Sequence, residues 1–162
     1  MMNTLFNPRE IVNVAIKVEE NGKVLYGILE NKTRSENLRK TWAHLKEQEE
    51  EHRKTFETMR DNIGDYIVHE FSPGAFDVYL ETLASTFIFT EELIREKIKQ
   101  LFNSEIEAVD FGIQIEKDSI LTFSALKEYV IEGKKPVLGK IIDEEKRHLA
   151  RLISLKEKLL KN

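Results

Sequence analysis

The sequence predicts an all-α protein, a four-helix bundle made of two helix hairpins joined by a long, partly helical crossover. Three observations predict it. Only seven glycines and three prolines occur in 162 residues, so few positions interrupt a helix. Apolar residues recur at alternating spacings of three and four through four long segments, the period of one helix face, and no strand signal competes. The first and last connections between these segments are short and the middle one is long, as in two hairpins whose link crosses the length of the bundle. The chain, 1–162, reads as one domain: a hairpin at about 8–63, a crossover insert at about 64–103 and a hairpin at about 104–160.

The first helix is predicted to open at Asn7-Pro8, with Asn7 as N-cap, Pro8 at the first helical position and Glu10 two residues further in. It runs to about Glu30. The stretch "NKTRSEN" is a turn, with Ser35 capping a second helix that runs to about Ile63. Gly64, Pro73 and Gly74 mark a break. Residues 75–102, "AFDVYLETLASTFIFTEELIREKIKQLF", read as one or two shorter helices, with Thr90 as a cap before Glu91-Glu92. Phe76, Phe87, Phe89 and Phe102 give this insert an apolar surface for capping the bundle or meeting a second subunit. Ser104 with Glu107 forms a capping box for the third long helix, and Pro136 opens the fourth. From Glu116 to Gly133 the third helix would outreach the fourth by roughly 10 Å at about 1.5 Å per residue. The sequence "YVIEGKK" is therefore predicted to leave the helix early.

Composition narrows the function classes. Charged residues make up 33% and hydrophobic ones 41%, ordinary for a globular chain. A formal net charge of −4 without a basic block argues against a nucleic-acid binder. There are no cysteines, which excludes disulfides, thiolate zinc sites, iron–sulfur clusters and cysteine nucleophiles and leaves any metal to histidine and carboxylate. No apolar run approaches membrane-spanning length and the N-terminus lacks a signal-peptide plan, so a cytoplasmic protein without a membrane partner is expected.

The chemistry lies in the seams. The second helix places Leu38, Trp42, Leu45, Glu49, His52, Phe56, Met59 and Ile63 on one stripe, apolar except for Glu49 and His52 at its centre. Glu47, Gln48, Glu50 and Glu51 fall off it and face solvent. The fourth helix repeats the pattern with Leu138, Ile141, Glu145, His148, Leu152, Leu155 and Leu159. The first gives Val12, Ala15, Glu19, Gly22, Tyr26 and Leu29, and the third gives Val109, Gly112, Glu116, Ser119, Phe123, Leu126 and Val130. The halves align directly, "AIKVEENGKVLYGIL" (15–29) over "GIQIEKDSILTFSAL" (112–126). Glu49 follows Glu19 by 30 residues and Glu145 follows Glu116 by 29, as in two copies of one hairpin related by a rough twofold.

Four glutamates and two histidines buried in one layer require compensation, because each uncompensated ion costs several kcal/mol. Two divalent cations supply it. Glu49 and Glu145 can bridge the ions, Glu19 and Glu116 cap them, and His52 and His148 add one nitrogen to each, the arrangement expected when two helices give Glu and two give Glu-x-x-His. Iron suits this donor set, and zinc or manganese would also be held by it.

On Glu19, "EEEH" at 49–52, Glu116 and "EEKRH" at 144–148, the chain resembles the rubrerythrin branch of the ferritin-like superfamily. The resemblance covers the four main helices and leaves about 64–103 unexplained. It implies a ferritin-like bundle with a non-haem di-iron centre that reacts with hydrogen peroxide or dioxygen. Two departures stand out. Ser119 occupies the position where rubrerythrins proper carry a further glutamate that exchanges with a histidine, which puts the peroxidase switch in question. Without cysteine the chain also carries no rubredoxin-like iron–thiolate domain, so electrons would come from a separate donor. The six-ligand set is nearer that of bacterioferritins, but Glu50 stands where their haem-binding methionine would be, so no haem is expected. Tyr26 resembles the family tyrosine that hydrogen-bonds a ligand carboxylate; by itself it also reads as a core aromatic.

Gly22 and Ser119 either leave room for the imidazoles and an oxygen ligand or serve packing alone. Asp118 and Asn21 are candidates to orient a histidine ligand. His44 and His69 lie off the pattern and are expected at the surface. The leading expectation is a di-iron oxidoreductase that reduces hydrogen peroxide or dioxygen and acts as a homodimer. The alternatives are a ferroxidase that stores or passes on iron, and a metal-stabilised interaction module without redox chemistry.

Overall fold

A computed structural model describes residues 8–63, 91–101, 104–128 and 130–161. Every regular element among them is helical: α1 (Pro8–Lys32), α2 (Glu36–Asp61), α3 (Glu91–Leu101), α4 (Glu105–Leu126), a 3₁₀ turn (Glu132–Lys134) and α5 (Lys135–Leu160). No helix among the described residues is long and apolar enough to cross a membrane. α1 pairs with α2 and α4 with α5, and the hairpins meet through α1 and α4.

Capping chemistry sets the helix starts. Ser35, in extended backbone conformation, accepts a hydrogen bond from the Leu38 amide through its Oγ at 3.5 Å. Ser104 does the same for the Glu107 amide at 3.2 Å. Each satisfies an amide that the first helical turn leaves unpaired. α4 stops at Leu126 and the chain reaches α5 through a turn and one 3₁₀ segment. The early exit predicted for "YVIEGKK" is thus observed, and it removes the length mismatch of the second hairpin. α5 begins at Lys135 with Pro136 in its first turn, where a missing N–H has no cost. α3 begins at Glu91, directly after the predicted cap. Asn7, Gly64, His69, Pro73, Gly74, Thr90 and the phenylalanines at 76, 87, 89 and 102 lie outside the described residues.

The predicted seams form the interior. All eight stripe residues of α2 are buried, as are Val12, Ala15, Glu19, Gly22, Tyr26 and Leu29 of α1. Apolar packing separates into two plugs. One joins Val12, Ala15, Phe56, Met59, Phe123, Leu126, Leu138 and Ile141. The other joins Leu25, Tyr26, Leu29, Leu38, Trp42, Leu45, Val109 and Leu152, and receives Ile94 and Ile98 from α3. Between them lies the polar layer of Glu19, Glu49, His52, Glu116, Glu145 and His148, all buried. The off-stripe charges of α2 face outward and pair with neighbours: Glu50 with Lys23 at 2.8 Å and Arg53 with Glu57 at 2.6 Å.

Trp42 anchors the second plug. It is wholly buried, stacks on Tyr26 with centroids 5.8 Å apart, and donates from Nε1 to Thr33 Oγ1 at 3.1 Å. Trp42→Ala is expected to cost about 3–5 kcal/mol through the cavity it leaves, read as a lower midpoint in urea unfolding. An unchanged midpoint would mean that the plug collapses around the smaller side chain.

Candidate metal centre

The four long helices α1, α2, α4 and α5 each bring one buried glutamate to the layer, and α2 and α5 each add a histidine one turn later, as helical spacing dictates. The donors fall into two groups. Glu49, Glu116, Glu145 and His148 each offer an atom, all within 4.8 Å of one another; Glu19, His52 and Glu145 do the same. Glu145 belongs to both. Its Oε1 lies 2.7 Å from His52 Nδ1 and its Oε2 lies 3.2 Å from His148 Nδ1. The two imidazoles stack with centroids 5.9 Å apart.

These residues fit a pair of cations. Five atoms of the layer are buried outside hydrogen-bond geometry: both oxygens of Glu19, Glu116 Oε2, and His52 Nδ1 with Glu145 Oε1, which face each other at 2.7 Å as an ion pair. Orphaned donors and acceptors at this density are costly and call for a ligand. Two donor atoms about 2.1 Å from one ion at right angles are roughly 3 Å apart, close to the spacings around Glu145. Gly22 provides the second fit. A Cβ there would stand 2.7 Å from Glu49 Oε2 and 2.9 Å from Cδ, so only glycine lets the Glu49 carboxylate occupy its place. Gly22→Ala is expected to displace that carboxylate and weaken metal binding in a chelator competition, with about 1–3 kcal/mol of overpacking strain in the metal-free protein. Unaltered affinity would show that Glu49 has a second usable position.

Burial and crowding of like groups dominate the electrostatics of the layer. Burial drives Glu19 and Glu49 well above the usual carboxylate range; Glu49 partly offsets this for Glu19, while Glu19 adds to it for Glu49, and Glu145 and Glu116 add to it for both. Burial and Glu145 raise Glu116 to about 8. Burial alone would lower the histidines, but the carboxylates around them prevail and lift His52 to about 9 and His148 to about 10. Glu145 goes the other way: burial is outweighed by His148 and His52, which hold it well below the ordinary range.

The Tyr26 hydroxyl donates to Glu116 Oε1 across the bundle, the contact expected from the resemblance. Asp118 and Asn21 are buried but do not reach a histidine through any hydrogen bond of the described residues. Asp118 accepts from Gln114 at 2.8 Å, and Asn21 Nδ2 has no partner. His44 is exposed, with its ring edge-on to His148 at 6.5 Å. The residue the sequence reading missed is Glu144, whose Oε2 lies 2.7 Å from His52 Nε2. It stands one turn before His148 on the same flank of α5, and that spacing was the available signal.

The sequence profile described as Rubrerythrin matches residues 10–156. The chain belongs to the rubrerythrin family. Its fold is that of ferritin-like di-iron-carboxylate proteins. This rubrerythrin-family chain is similar to a protein of Thermotoga maritima, provisionally assigned as a ferritin-like diiron-carboxylate protein. The two are 27% identical, with 96% of this chain and 98% of that one covered and a TM-score of 0.69. A hypothetical protein of Pyrococcus furiosus shares the fold at 20% identity, with a TM-score of 0.65 over 96% of this chain and 92% of that one. No curated protein sequence matches.

Proposed function

We propose that this rubrerythrin-family protein holds two iron ions with Glu19, Glu49, His52, Glu116, Glu145 and His148 and reduces hydrogen peroxide or dioxygen with them. The observation that carries this reading is Glu145, one carboxylate shared by two groups of converging, unpartnered donor atoms. A pair of ferrous ions would supply two electrons, which with two protons reduce hydrogen peroxide to two waters or dioxygen to hydrogen peroxide.

The chain's own part is to position and to exclude water. The apolar plugs on either side keep the layer dry, which strengthens every charge interaction within it. Tyr26 holds its proton on Glu116 Oε1, fixing that carboxylate's rotamer. These 162 residues hold no cysteine for an iron–thiolate group, and reducing equivalents reach the centre from a donor outside them. Ser119 is buried beside Glu116 and offers no carboxylate for a ligand exchange, which favours a fixed set of six ligands.

The test is metal content by mass spectrometry followed by anaerobic addition of peroxide, then of dioxygen, to the iron-loaded protein. Two irons per chain and rapid oxidation seen in the near-ultraviolet absorption are expected. Stoichiometric zinc, or iron inert to both oxidants, would overturn the redox reading in favour of a structural metal.

A further inference from the structure

Both halves of the bundle arise from one hairpin pattern, yet the donors they present are not alike. One group contains four residues, three of them carboxylates; the other contains three, with two carboxylates. Ligand number and charge both favour the larger group for a divalent cation. The histidines differ in the opposite sense. His52 Nε2, the ring nitrogen turned away from the layer, meets Glu144 Oε2 at 2.7 Å. At the matching position of α2 stands Gln48, whose amide donates to Glu51 at 3.1 Å. His148 has no carboxylate on its outer nitrogen among the described residues and has the His44 ring beside it instead.

A carboxylate on the outer nitrogen fixes the tautomer. With Nε2–H donated to Glu144, Nδ1 of His52, 2.7 Å from Glu145 and 3.7 Å from Glu19, is the ring nitrogen left to bind a cation once its proton is released. The Glu144 carboxylate also makes that nitrogen a stronger donor. The group with fewer ligands is thus the one whose histidine is held and strengthened.

Resting on the reading of a two-metal centre, we propose that the two positions are unequal and fill in order. The position of Glu49, Glu116, Glu145 and His148 fills first. The position of Glu19, His52 and Glu145 fills second, and Glu144 is the positioning residue on which that second step depends.

The experiment is anaerobic titration of the metal-free protein with cobalt(II), followed by visible absorption and by calorimetry, which need no turnover. Wild type is expected to bind two equivalents in two resolved steps. Glu144→Gln keeps the shape and removes the charge; it is expected to leave the first step unchanged and weaken the second about 10–100-fold. Glu144→Ala should weaken the second step at least as much. Glu47→Gln, an exposed substitution off the seam, should alter neither. The Glu144 side chain is 37% exposed, so its loss leaves no sealed cavity. Selective loss of one step is a result that general loosening of the bundle would not give. Equal weakening of both steps, or no change in either, would overturn the proposal while leaving the two-metal centre standing. A wild-type protein that binds no cobalt would instead overturn the metal centre itself.

Discussion

Glu145→Ala is expected to weaken metal binding sharply at both positions at once. Among the described residues no other belongs to both donor groups. Without it one group is reduced to three ligands, the least that a divalent ion ordinarily retains, and loses a charge, and the other keeps only Glu19 and His52, fewer than that. The same change should damage the metal-free protein. There the ionised Glu145 lies between His52 and His148, raised to about 9 and about 10 by their carboxylate neighbours against burial. Removing it leaves two buried imidazolium groups short of their shared counter-ion, a loss of about 3–5 kcal/mol for a broken buried pair. Domains of this size have about 5–15 kcal/mol in total. Metal analysis together with urea unfolding of the metal-free form reads both effects. Retention of one full metal equivalent would show that a position can be completed without the shared carboxylate.

Metal affinity should rise steeply with pH. In the metal-free protein His52 and His148 are protonated at neutral pH, and Glu116, raised to about 8 by burial and Glu145, is largely so. A cation needs neutral imidazoles and an ionised carboxylate, so binding expels these protons. Each proton released steepens the dependence by about tenfold per pH unit. Chelator competition at pH 6, 7 and 8, in two buffers of different ionisation enthalpy, measures the slope and counts the protons. A flat profile would show that the site is already deprotonated before the cation arrives. Folding stability of the metal-free form should move the opposite way. A folded-state value raised above the unfolded one stabilises below the unfolded value, about 6.5 for histidine and about 4.3 for glutamate. That contribution is lost as pH climbs through 8, 9 and 10. The metal-free protein should therefore weaken in alkali and the loaded protein should not.

Most of the bundle and all six layer residues were legible in the sequence because helical period reports which side of a helix is dry. Leu38 to Ile63 and Val12 to Leu29 are buried as their spacing requires. Ser35 and Ser104 marked helix starts because a hydroxyl acting on the amide three residues ahead is local chemistry. Period does not report which helix lies opposite or how far one slides along another. That is why Glu144 had no role of its own within "EEKRH", although it crosses to His52 on α2. For the same reason Asp118 and Asn21 were credible partners for a histidine: their burial was within reach of the pattern, but their direction was not. Tyr26 was placed on the seam, and only the register of α1 against α4 shows Glu116 as its acceptor.

The separation of the apolar interior into two plugs bears on how a finished protein receives its cargo. Each end of the bundle is closed by its own hydrocarbon packing, while the waist holds polar side chains with unpartnered oxygens. Local opening is cheapest where few apolar contacts must be broken. Before loading, the waist should breathe while both ends stay shut. Amide exchange would then be fastest at the middle turns of α1, α2, α4 and α5 rather than at their ends. Ions would enter a scaffold already assembled, and their arrival would still the one part of it that moved.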